Sequence, residues 1–205
     1  MTNSVWRKMV TQGKKMETEI KAIIEGAKYL DLIYQAGRQK EAKYMTKIDD
    51  YYSKDPDAKT HPVTYRIRKV VSDNATVACF TMKIKHVDEK GLETNQEYET
   101  YLSDASVMER FLGDQGFVKN FTKSKTSHGF IAQLEQNGPQ YHVEIVMVSK
   151  DSRVEPIYAV EIENTDDNKD VTPETHYANE KKLLEGMGIS EDRIEAKSWR
   201  ELLGE

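Results

Sequence analysis

Apolar and polar residues alternate along most of this chain, which predicts a protein built mainly of strands. In Lys15–Ile24, apolar and charged residues take turns at every second position, as expected for a strand with one face in a core. The same pattern between turn-rich loops predicts further strands at Lys43–Tyr52, Thr64–Val71, Thr76–Val87, Glu93–Leu102, Gly116–Lys125, Gly129–Glu135, Gln140–Val148 and Glu155–Glu163. The Asn137-Gly138 pair predicts a hairpin turn, because both residues tolerate positive φ.

A few helices interrupt the strands. Their expected positions are Gly26–Glu41, Ser103–Gly113, a segment from Thr172-Pro173 to about Glu185, and a short element around Ser198–Leu203. Ser198 and Glu201 fit a capping box. Many strands with occasional helices favour an α+β fold with a barrel or a sandwich over a doubly wound sheet.

Composition and charge narrow the function classes. The length of 205 residues suits one domain, so we expect residues 1–14 to be an N-terminal extension and 15–205 a single domain. Acidic residues outnumber basic ones, 35 to 30, which argues against an extended nucleic-acid surface. No apolar run is long enough for a membrane span, and Met1–Lys15 has no signal-peptide core, so we expect a cytoplasmic protein with no membrane partner.

The most informative feature is a series of like charges two residues apart, which therefore share a strand face. The acidic pairs are Glu17/Glu19, Glu97/Glu99 and Glu161/Glu163, and the basic pairs are Arg66/Arg68, Lys83/Lys85 and Lys123/Lys125. One such pair is what a solvent-exposed face shows. The whole set is unusual, since solvated faces mix signs and like charges repel. We therefore expect these charges to line an internal cavity, where they must be opposed by counter-charge or by a ligand.

The basic residues predict a ligand with several phosphates. Arginine gives bidentate contacts to phosphate oxygens and lysine gives point charge. The candidate phosphate-binding residues are Lys21, Arg66, Arg68, Lys83, Lys85, Lys123 and Lys125. The acidic pairs would repel a bare phosphate. Glu17, Glu19, Glu161 and Glu163 therefore predict Mg²⁺ or Mn²⁺, ions that bind carboxylate and phosphate oxygens together.

Taken in order, these motifs resemble the CYTH superfamily of triphosphate tunnel metalloenzymes over about residues 16–203. The matching segments are Glu17-Thr18-Glu19-Ile20-Lys21, Asp49-Asp50-Tyr51-Tyr52, Tyr65-Arg66-Ile67-Arg68, Thr81-Met82-Lys83, Glu97-Tyr98-Glu99, Lys123-Ser124-Lys125, Glu161-Ile162-Glu163, Met187-Gly188-Ile189 and Lys197–Leu203. The sequence departs from the family pattern at Lys125, where arginine is frequent, and at Asn95 and Gln96, where a basic residue is frequent.

The resemblance implies an eight-stranded antiparallel barrel with flanking helices, acting on a triphosphate. It implies phosphate binding by the basic residues named above except Lys85, and metal binding by Glu17, Glu19, Glu161 and Glu163. Glu144 is a further metal-ligand candidate, Glu97 and Glu99 line the tunnel, and Lys197 assists the leaving phosphate. A flat outer strand face could also pair two barrels into a homodimer.

The sequence leaves three functions open. The first is hydrolysis of an inorganic or organic triphosphate, with Glu17 or Glu19 beside the attacking water. The second is cyclisation of ATP, as in class IV adenylate cyclases. Those cyclases carry a His-Phe pair shortly before the first Glu, where this chain has Thr11 and Gln12, so hydrolysis is favoured. The third is a non-catalytic triphosphate sensor, which the acidic residues argue against.

Overall fold

Eight strands form the body of the protein. The computed structural model describes residues 15–38, 42–55, 63–72, 75–87, 93–150, 155–165 and 171–204. The strands are β1 (Lys15–Ile24), β2 (Lys43–Ser53), β3 (Val63–Ser72), β4 (Ala75–Val87), β5 (Glu93–Leu102), β6 (Val118–Ala132), β7 (Tyr141–Ser149) and β8 (Ile157–Asn164). They form a closed antiparallel barrel in the order β1-β5-β4-β3-β2-β6-β7-β8, which confirms the predicted fold.

The helices are α1 (Gly26–Ala36), α2 (Ala105–Asp114), α3 (Pro173–Gly186) and the short α4 (Trp199–Leu202). The predicted caps are confirmed. Thr172 caps α3 and Pro173 is its first residue, while Ser198 and Glu201 form a capping box on α4. Because Asp104 accepts a hydrogen bond from the Ser106 N–H across 2.8 Å, α2 begins sharply there.

The largest differences from the predicted boundaries are in β6 and α1. A break between strands was expected at Thr126–His128, but β6 runs through it without interruption. Its burial alternates unbroken, with Lys125, Ser127 and Gly129 all on the buried face, so small polar residues continue the strand where they were expected to end it. Helix α1 ends at Ala36 instead of Glu41, with Gly37 as its cap; residues 39–41 and the predicted extension 1–14 lie outside the described residues.

The chain divides into two compact units. The middle unit comprises Met1–Met16 and Ile48–Thr122. Strands β3, β4 and β5 pair in it, and α2 packs its Leu112 against Tyr52 and Ile67. This small core fixes the sheet that carries the arginine and lysine pairs.

The terminal unit comprises Glu17–Lys47 and Lys123–Glu205. Its strands pair in the order β1-β8-β7-β6. The apolar residues of these strands pack against α1 and α3 in a core that contains Ile20, Ala22, Tyr29, Leu32, Val143, Ile145, Val160, Ile162 and Leu184. Since this face of the strands is covered by helices, the charged residues that alternate with the core residues lie on the opposite face. Among the described residues, no helix is long and apolar enough to cross a membrane.

Candidate functional site

Register in the terminal unit brings acidic and basic residues side by side. Lys21 of β1 lies opposite Glu161 of β8, and Glu19 lies opposite Glu163. On the other side of β8, Glu161 lies opposite Glu144 of β7. Directly opposite residues of an antiparallel pair are within contact distance. The register alone therefore gathers the sequence-predicted carboxylates of β7 and β8.

Two lysines and two glutamates form a buried chain of ion pairs at this point. The Nζ atom of Lys125 lies 2.7 Å from Oε2 of Glu144 and 2.5 Å from Oε2 of Glu161. Lys47 completes the chain, with its Nζ 2.5 Å from Oε1 of Glu144. All four residues are buried. Both oxygens of Glu144 are thus held by ammonium groups, so this candidate metal ligand acts as the partner of two lysines in the structure.

These lysines keep the carboxylates ionised. Burial alone would raise the pKa of Glu161, but Lys125 and Lys123 outweigh it and lower the pKa to about 2. Burial would also raise the pKa of Glu144, and there Lys125 and Lys47 hold it well below its ordinary value. Negative charge is therefore maintained inside the protein at every physiological pH.

Trp199 of α4 covers the neighbouring basic residues. Its indole Nε1–H donates to Oε1 of Glu161 across 2.6 Å. The Nζ atoms of Lys21 and Lys123 lie 5.0 and 5.6 Å from the centre of its ring, within the range of cation–π attraction. Burial lowers the pKa of Lys21, against the opposing effect of Glu161. Aromatic and carboxylate contacts thus hold the two lysines in place.

The C-terminal segment also contacts Lys21 directly. The Lys21 Nζ donates to the backbone carbonyl of Lys197, and the backbone N–H of Glu195 donates to the carbonyl of Lys21 across 2.7 Å. The structure therefore places Lys197 next to a predicted phosphate-binding residue, and its side chain is exposed.

Glu19 and Glu163 occupy the other end of the acidic row. His142 of β7 lies opposite Glu163, with its Nδ1 3.2 Å from Oε1 of the glutamate. Gly129 makes room for this contact, because a Cβ there would come within 2.9 Å of Nε2 of His142. The side chain of Glu17 lies outside the described residues.

A separate polar cluster lies beside Glu19 and Glu163. Thr18 donates its backbone N–H to Oδ1 of Asn164 across 2.7 Å, and its hydroxyl lies 3.2 Å from the same oxygen. The hydroxyl is also 2.6 Å from Oε1 of Glu180 on α3. Burial raises the pKa of Glu180 to about 8, with Glu19 and Glu163 adding to the effect and the Thr18 contact opposing it.

In the middle unit, two arginines lie next to the carboxylate of Asp49. The guanidinium group of Arg68 donates to both carboxylate oxygens of the fully buried Asp49. The Nε–Oδ1 distance is 2.7 Å and the Nη2–Oδ2 distance is 2.9 Å. Arg66 lies farther from Asp49, at 3.9 Å, and donates to the hydroxyl of Thr81 across 3.1 Å. Burial would lower the pKa of both arginines, but Asp49 raises it for each, so both stay charged.

The remaining predicted residues of the middle unit follow from the pairing of β4 with β5. Lys83 lies opposite Glu97 with a Nζ–Oε1 distance of 3.1 Å. Glu99 lies opposite Thr81 and accepts a hydrogen bond from its hydroxyl across 2.7 Å. Lys85 is exposed, unlike Lys83. Alternate residues of a strand point to the same side, so Lys85 shares the face of these residues and differs from them only in its exposure.

The donor set fits a hard divalent cation. Carboxylate oxygens are the ligands that Mg²⁺ and Mn²⁺ prefer, and the Lys125 ammonium already takes a cation's position between Glu144 and Glu161. Across the described part of the chain, however, no three His, Cys, Asp or Glu side chains converge on one point. A metal at Glu161 therefore requires some of the present contacts to be exchanged.

Comparison with known proteins identifies the family. The model of the CYTH domain matches residues 15–197. The chain belongs to the CYTH family. No curated protein matches the chain at a significant level. Membership confirms the resemblance drawn from the charged motifs, since the matched segment contains every one of the charged pairs.

Solved structures share this CYTH fold at low sequence identity. The PH1819 protein from Pyrococcus horikoshii is 22% identical with a TM-score of 0.65, covering 91% of this chain and 97% of its own. A candidate adenylate cyclase from Bacillus halodurans is 16% identical with a TM-score of 0.62, covering 94% and 100%. A candidate adenylyl cyclase from Hippeastrum, reported to have a dominant triphosphatase activity, is 14% identical with a TM-score of 0.59, covering 92% and 94%.

Several residues of these clusters were not among the sequence candidates. Lys47 and Asp49 carried a signal, since both are charged at alternating positions of a predicted strand. Nothing in the local sequence of Trp199 indicates a bond to Glu161. Glu180 lies on a polar helix, where an acidic residue is expected to be exposed. These contacts depend on tertiary structure that local pattern does not encode.

Proposed function

We propose that this CYTH protein hydrolyses a triphosphate with Mg²⁺ or Mn²⁺, releasing orthophosphate and the matching diphosphate. The observation that carries the proposal is the buried chain Lys47–Glu144–Lys125–Glu161 in the terminal unit. Ion pairs of this kind cost desolvation energy, and apolar residues of similar volume often replace them without loss of stability. Their presence is better explained by a ligand than by folding.

The balance of charge supports a metal together with the phosphate. Lys21, Lys47, Lys123 and Lys125 are matched by Glu19, Glu144, Glu161 and Glu163, so this group of residues has no excess positive charge. A bare polyanion is attracted weakly to such a group. A triphosphate that brings divalent cations with it satisfies the acidic and the basic residues at once.

Each residue then has a role. Lys21, Lys123 and Lys125 bind phosphate oxygens as point charges, and in the middle unit Arg66, Arg68 and Lys83 offer further phosphate contacts. Glu17, Glu19, Glu161 and Glu163 would hold the cation, which would neutralise phosphate charge and make water more acidic. Glu17 or Glu19 orients the attacking water, and Lys197 assists the leaving phosphate with its positive charge.

Two further considerations favour hydrolysis over the other functions. Phosphoryl transfer to water relies on positioning and charge neutralisation, which a preformed array of paired charges supplies. The Hippeastrum protein of the same fold is reported to have a dominant triphosphatase activity. The buried carboxylates argue against a metal-free sensor, because they repel phosphate unless a cation is present.

Product analysis tests the proposal. The protein is incubated with tripolyphosphate, ATP or thiamine triphosphate in Mg²⁺, Mn²⁺ or EDTA, and the products are resolved by phosphorus NMR. We expect metal-dependent release of orthophosphate from at least one substrate. Pyrophosphate and cyclic AMP from ATP would instead identify a cyclase, and binding without any product would identify a sensor.

Matched variants tie the activity to the site. Lys123→Met removes a buried phosphate-binding candidate, and Lys182→Met removes an exposed lysine of α3 as its control. Glu161→Gln removes a metal-ligand candidate, with the exposed Glu174→Gln as its control. We expect both site variants to lose at least about 100-fold in kcat/KM, the size of effect seen for preorganised charge stabilisation, while both controls keep wild-type activity.

A further inference from the structure

A cluster of three side chains ties α3 to the ends of two strands. Glu180 is 0% exposed, and its Oε1 lies 2.6 Å from the hydroxyl of Thr18. The same hydroxyl lies 3.2 Å from Oδ1 of Asn164, which also accepts the backbone N–H of Thr18 across 2.7 Å. A long-range contact of this kind joins three separate parts of the chain.

Counting protons shows which form of Glu180 lets Thr18 form hydrogen bonds with both of its neighbours. The Thr18 hydroxyl has one proton and faces two oxygens, those of Asn164 and Glu180. It can donate to only one of them at a time, so it forms hydrogen bonds with both oxygens at once only if one of them supplies a proton. The Asn164 oxygen has none to give. The neutral acid form of Glu180 supplies it, donating to Thr18 while Thr18 donates to Asn164.

The surroundings of Glu180 favour the same form. Its Oε2 is buried and has no hydrogen-bond partner among the described residues, which disfavours a charge. Glu19 and Glu163 lie close enough to raise its pKa further. A neutral acid provides a hydrogen-bond donor here without adding negative charge to the row of carboxylates.

The cluster is placed where it can control those carboxylates. Thr18 lies between Glu17 and Glu19 in β1, and Asn164 directly follows Glu163 in β8. Glu19 and Glu163 are opposite each other in the register of the two strands. We propose that Glu180 is a positioning residue, which acts through Thr18 and Asn164 to fix the backbone that presents Glu19 and Glu163 to a divalent cation. This inference rests on the proposed function and assigns Glu180 no contact with metal or substrate.

The test measures metal affinity in variants that leave the charge of the site unchanged. Thr18→Val removes the hydroxyl and keeps the shape, while Thr18→Ser keeps the hydroxyl. Glu180→Leu removes the donor, Glu180→Gln restores one, and Glu185→Gln changes an exposed acid of the same helix as the control. Mn²⁺ affinity is measured by isothermal titration calorimetry on the full chain, and thermal unfolding shows that each variant is folded at the temperature used.

We expect Thr18→Val and Glu180→Leu to bind Mn²⁺ about tenfold more weakly, the lower end of the effect typical of residues that orient metal ligands. Thr18→Ser, Glu180→Gln and Glu185→Gln should stay within about twofold of the wild type. A role in stability alone would lower the melting temperature of Thr18→Val and leave its Mn²⁺ affinity unchanged, and that result overturns the proposal. If Glu180→Leu does not fold, the two Thr18 variants decide.

The same titration separates this inference from the function on which it rests. A wild-type protein that binds no Mn²⁺ overturns both the metal-dependent function and the positioning role. A wild-type protein that binds Mn²⁺ and hydrolyses a triphosphate, with Thr18→Val equal to it in both, overturns the positioning role alone.

Discussion

Trp199 donates its indole N–H to Oε1 of Glu161 across 2.6 Å, while Lys125 holds the other oxygen of the same carboxylate. Both oxygens of a proposed metal ligand are therefore occupied by donors of the protein itself. A cation that binds Glu161 must displace one of them. Trp199 is the easier of the two to move, because it belongs to the four-residue helix α4, whereas Lys125 is buried in the middle of β6.

This competition predicts an effect of Trp199→Phe. Phenylalanine keeps an aromatic ring over Lys21 and Lys123 but has no N–H to donate. Since a net hydrogen bond is worth on the order of 1 kcal/mol, we expect Mn²⁺ to bind about fivefold more tightly, as measured by calorimetry. Trp6→Phe, the other tryptophan of the chain, is the matched control, and equal Mn²⁺ affinity in both variants would contradict the displacement.

Fluorescence reports on the same event. In a Trp6→Phe background, Trp199 is the only tryptophan, so its emission follows the contact with Glu161. We expect Mg²⁺ with tripolyphosphate to change the emission maximum, because the indole loses its carboxylate partner. An emission spectrum that does not respond at ligand concentrations sufficient for turnover would show that Trp199 stays in place.

Low pH should lower the free energy of unfolding, because Glu161 becomes protonated. Its pKa of about 2 in the folded protein lies below the ordinary value of 4.5, so the group stabilises the fold above pH 4.5 and loses that contribution as the pH falls towards 2. The full contribution is on the order of 3 kcal/mol. Urea unfolding at several pH values measures the free energy of unfolding. We expect it to fall with acid in the wild type and in the exposed control Glu174→Gln, and to fall less in Glu161→Gln. The same pH dependence in all three proteins would exclude the effect.

Glu180 makes the stability of the folded protein depend on pH in the opposite direction. Its pKa of about 8 lies above the ordinary value of 4.5, so the folded state binds a proton that the unfolded state has lost. Stability therefore falls as the pH rises from about 4.5 to 8. Glu19 and Glu163 are the acidic groups whose charge adds to the effect of burial on Glu180.

Replacing Glu180 with glutamine should remove this penalty. At pH 7 we expect Glu180→Gln to raise the free energy of unfolding by up to about 3 kcal/mol, with the difference disappearing near pH 4. Denaturant unfolding at pH 4, 6 and 8 measures it. A variant that is equally or less stable than the wild type at pH 8 would show that Glu180 is ionised in the folded protein.

Arg66 should contribute to substrate binding more than Arg110 does. Arg66 is half-buried beside Asp49 and Thr81, whereas Arg110 is an exposed residue of α2. A charge-assisted phosphate contact is worth about 1.5–3 kcal/mol, so Arg66→Ala should raise KM for the best triphosphate about tenfold or more. Steady-state kinetics of the two alanine variants measure this, and equal KM values would remove Arg66 from the substrate-binding residues.

The fold could be predicted from the sequence because each strand has two recognisable faces, one apolar and one charged. Apolar residues such as Ile20 and Ile162 alternate with charged residues such as Lys21 and Glu161, so both faces of each strand carry a signal. The ends of strands could not be predicted where a residue type occurs in turns as well as in strands. Ser127 and Gly129 resemble a turn, yet in β6 they continue the buried face of a strand of 15 residues.

The identity of the charged residues could be predicted, but not their partners. Arg66/Arg68 and Glu161/Glu163 were found from spacing alone. The bond from Arg68 to Asp49 and the bonds from Lys125 to Glu144 and Glu161 depend on side-chain length and on which strands become neighbours. Glu180 could not be found at all, since an acid on a polar helix carries no sign that the fold will bury it.

The position of Lys125 between two carboxylates has a consequence for the salt dependence of binding. A purely basic pocket gathers small anions from solution and must release them when a polyanion arrives, which makes its affinity fall steeply with ionic strength. Here the counter-ions are built into the chain as Glu144 and Glu161. Binding becomes an exchange of partners within the protein, and its affinity should change little between dilute buffer and concentrated salt.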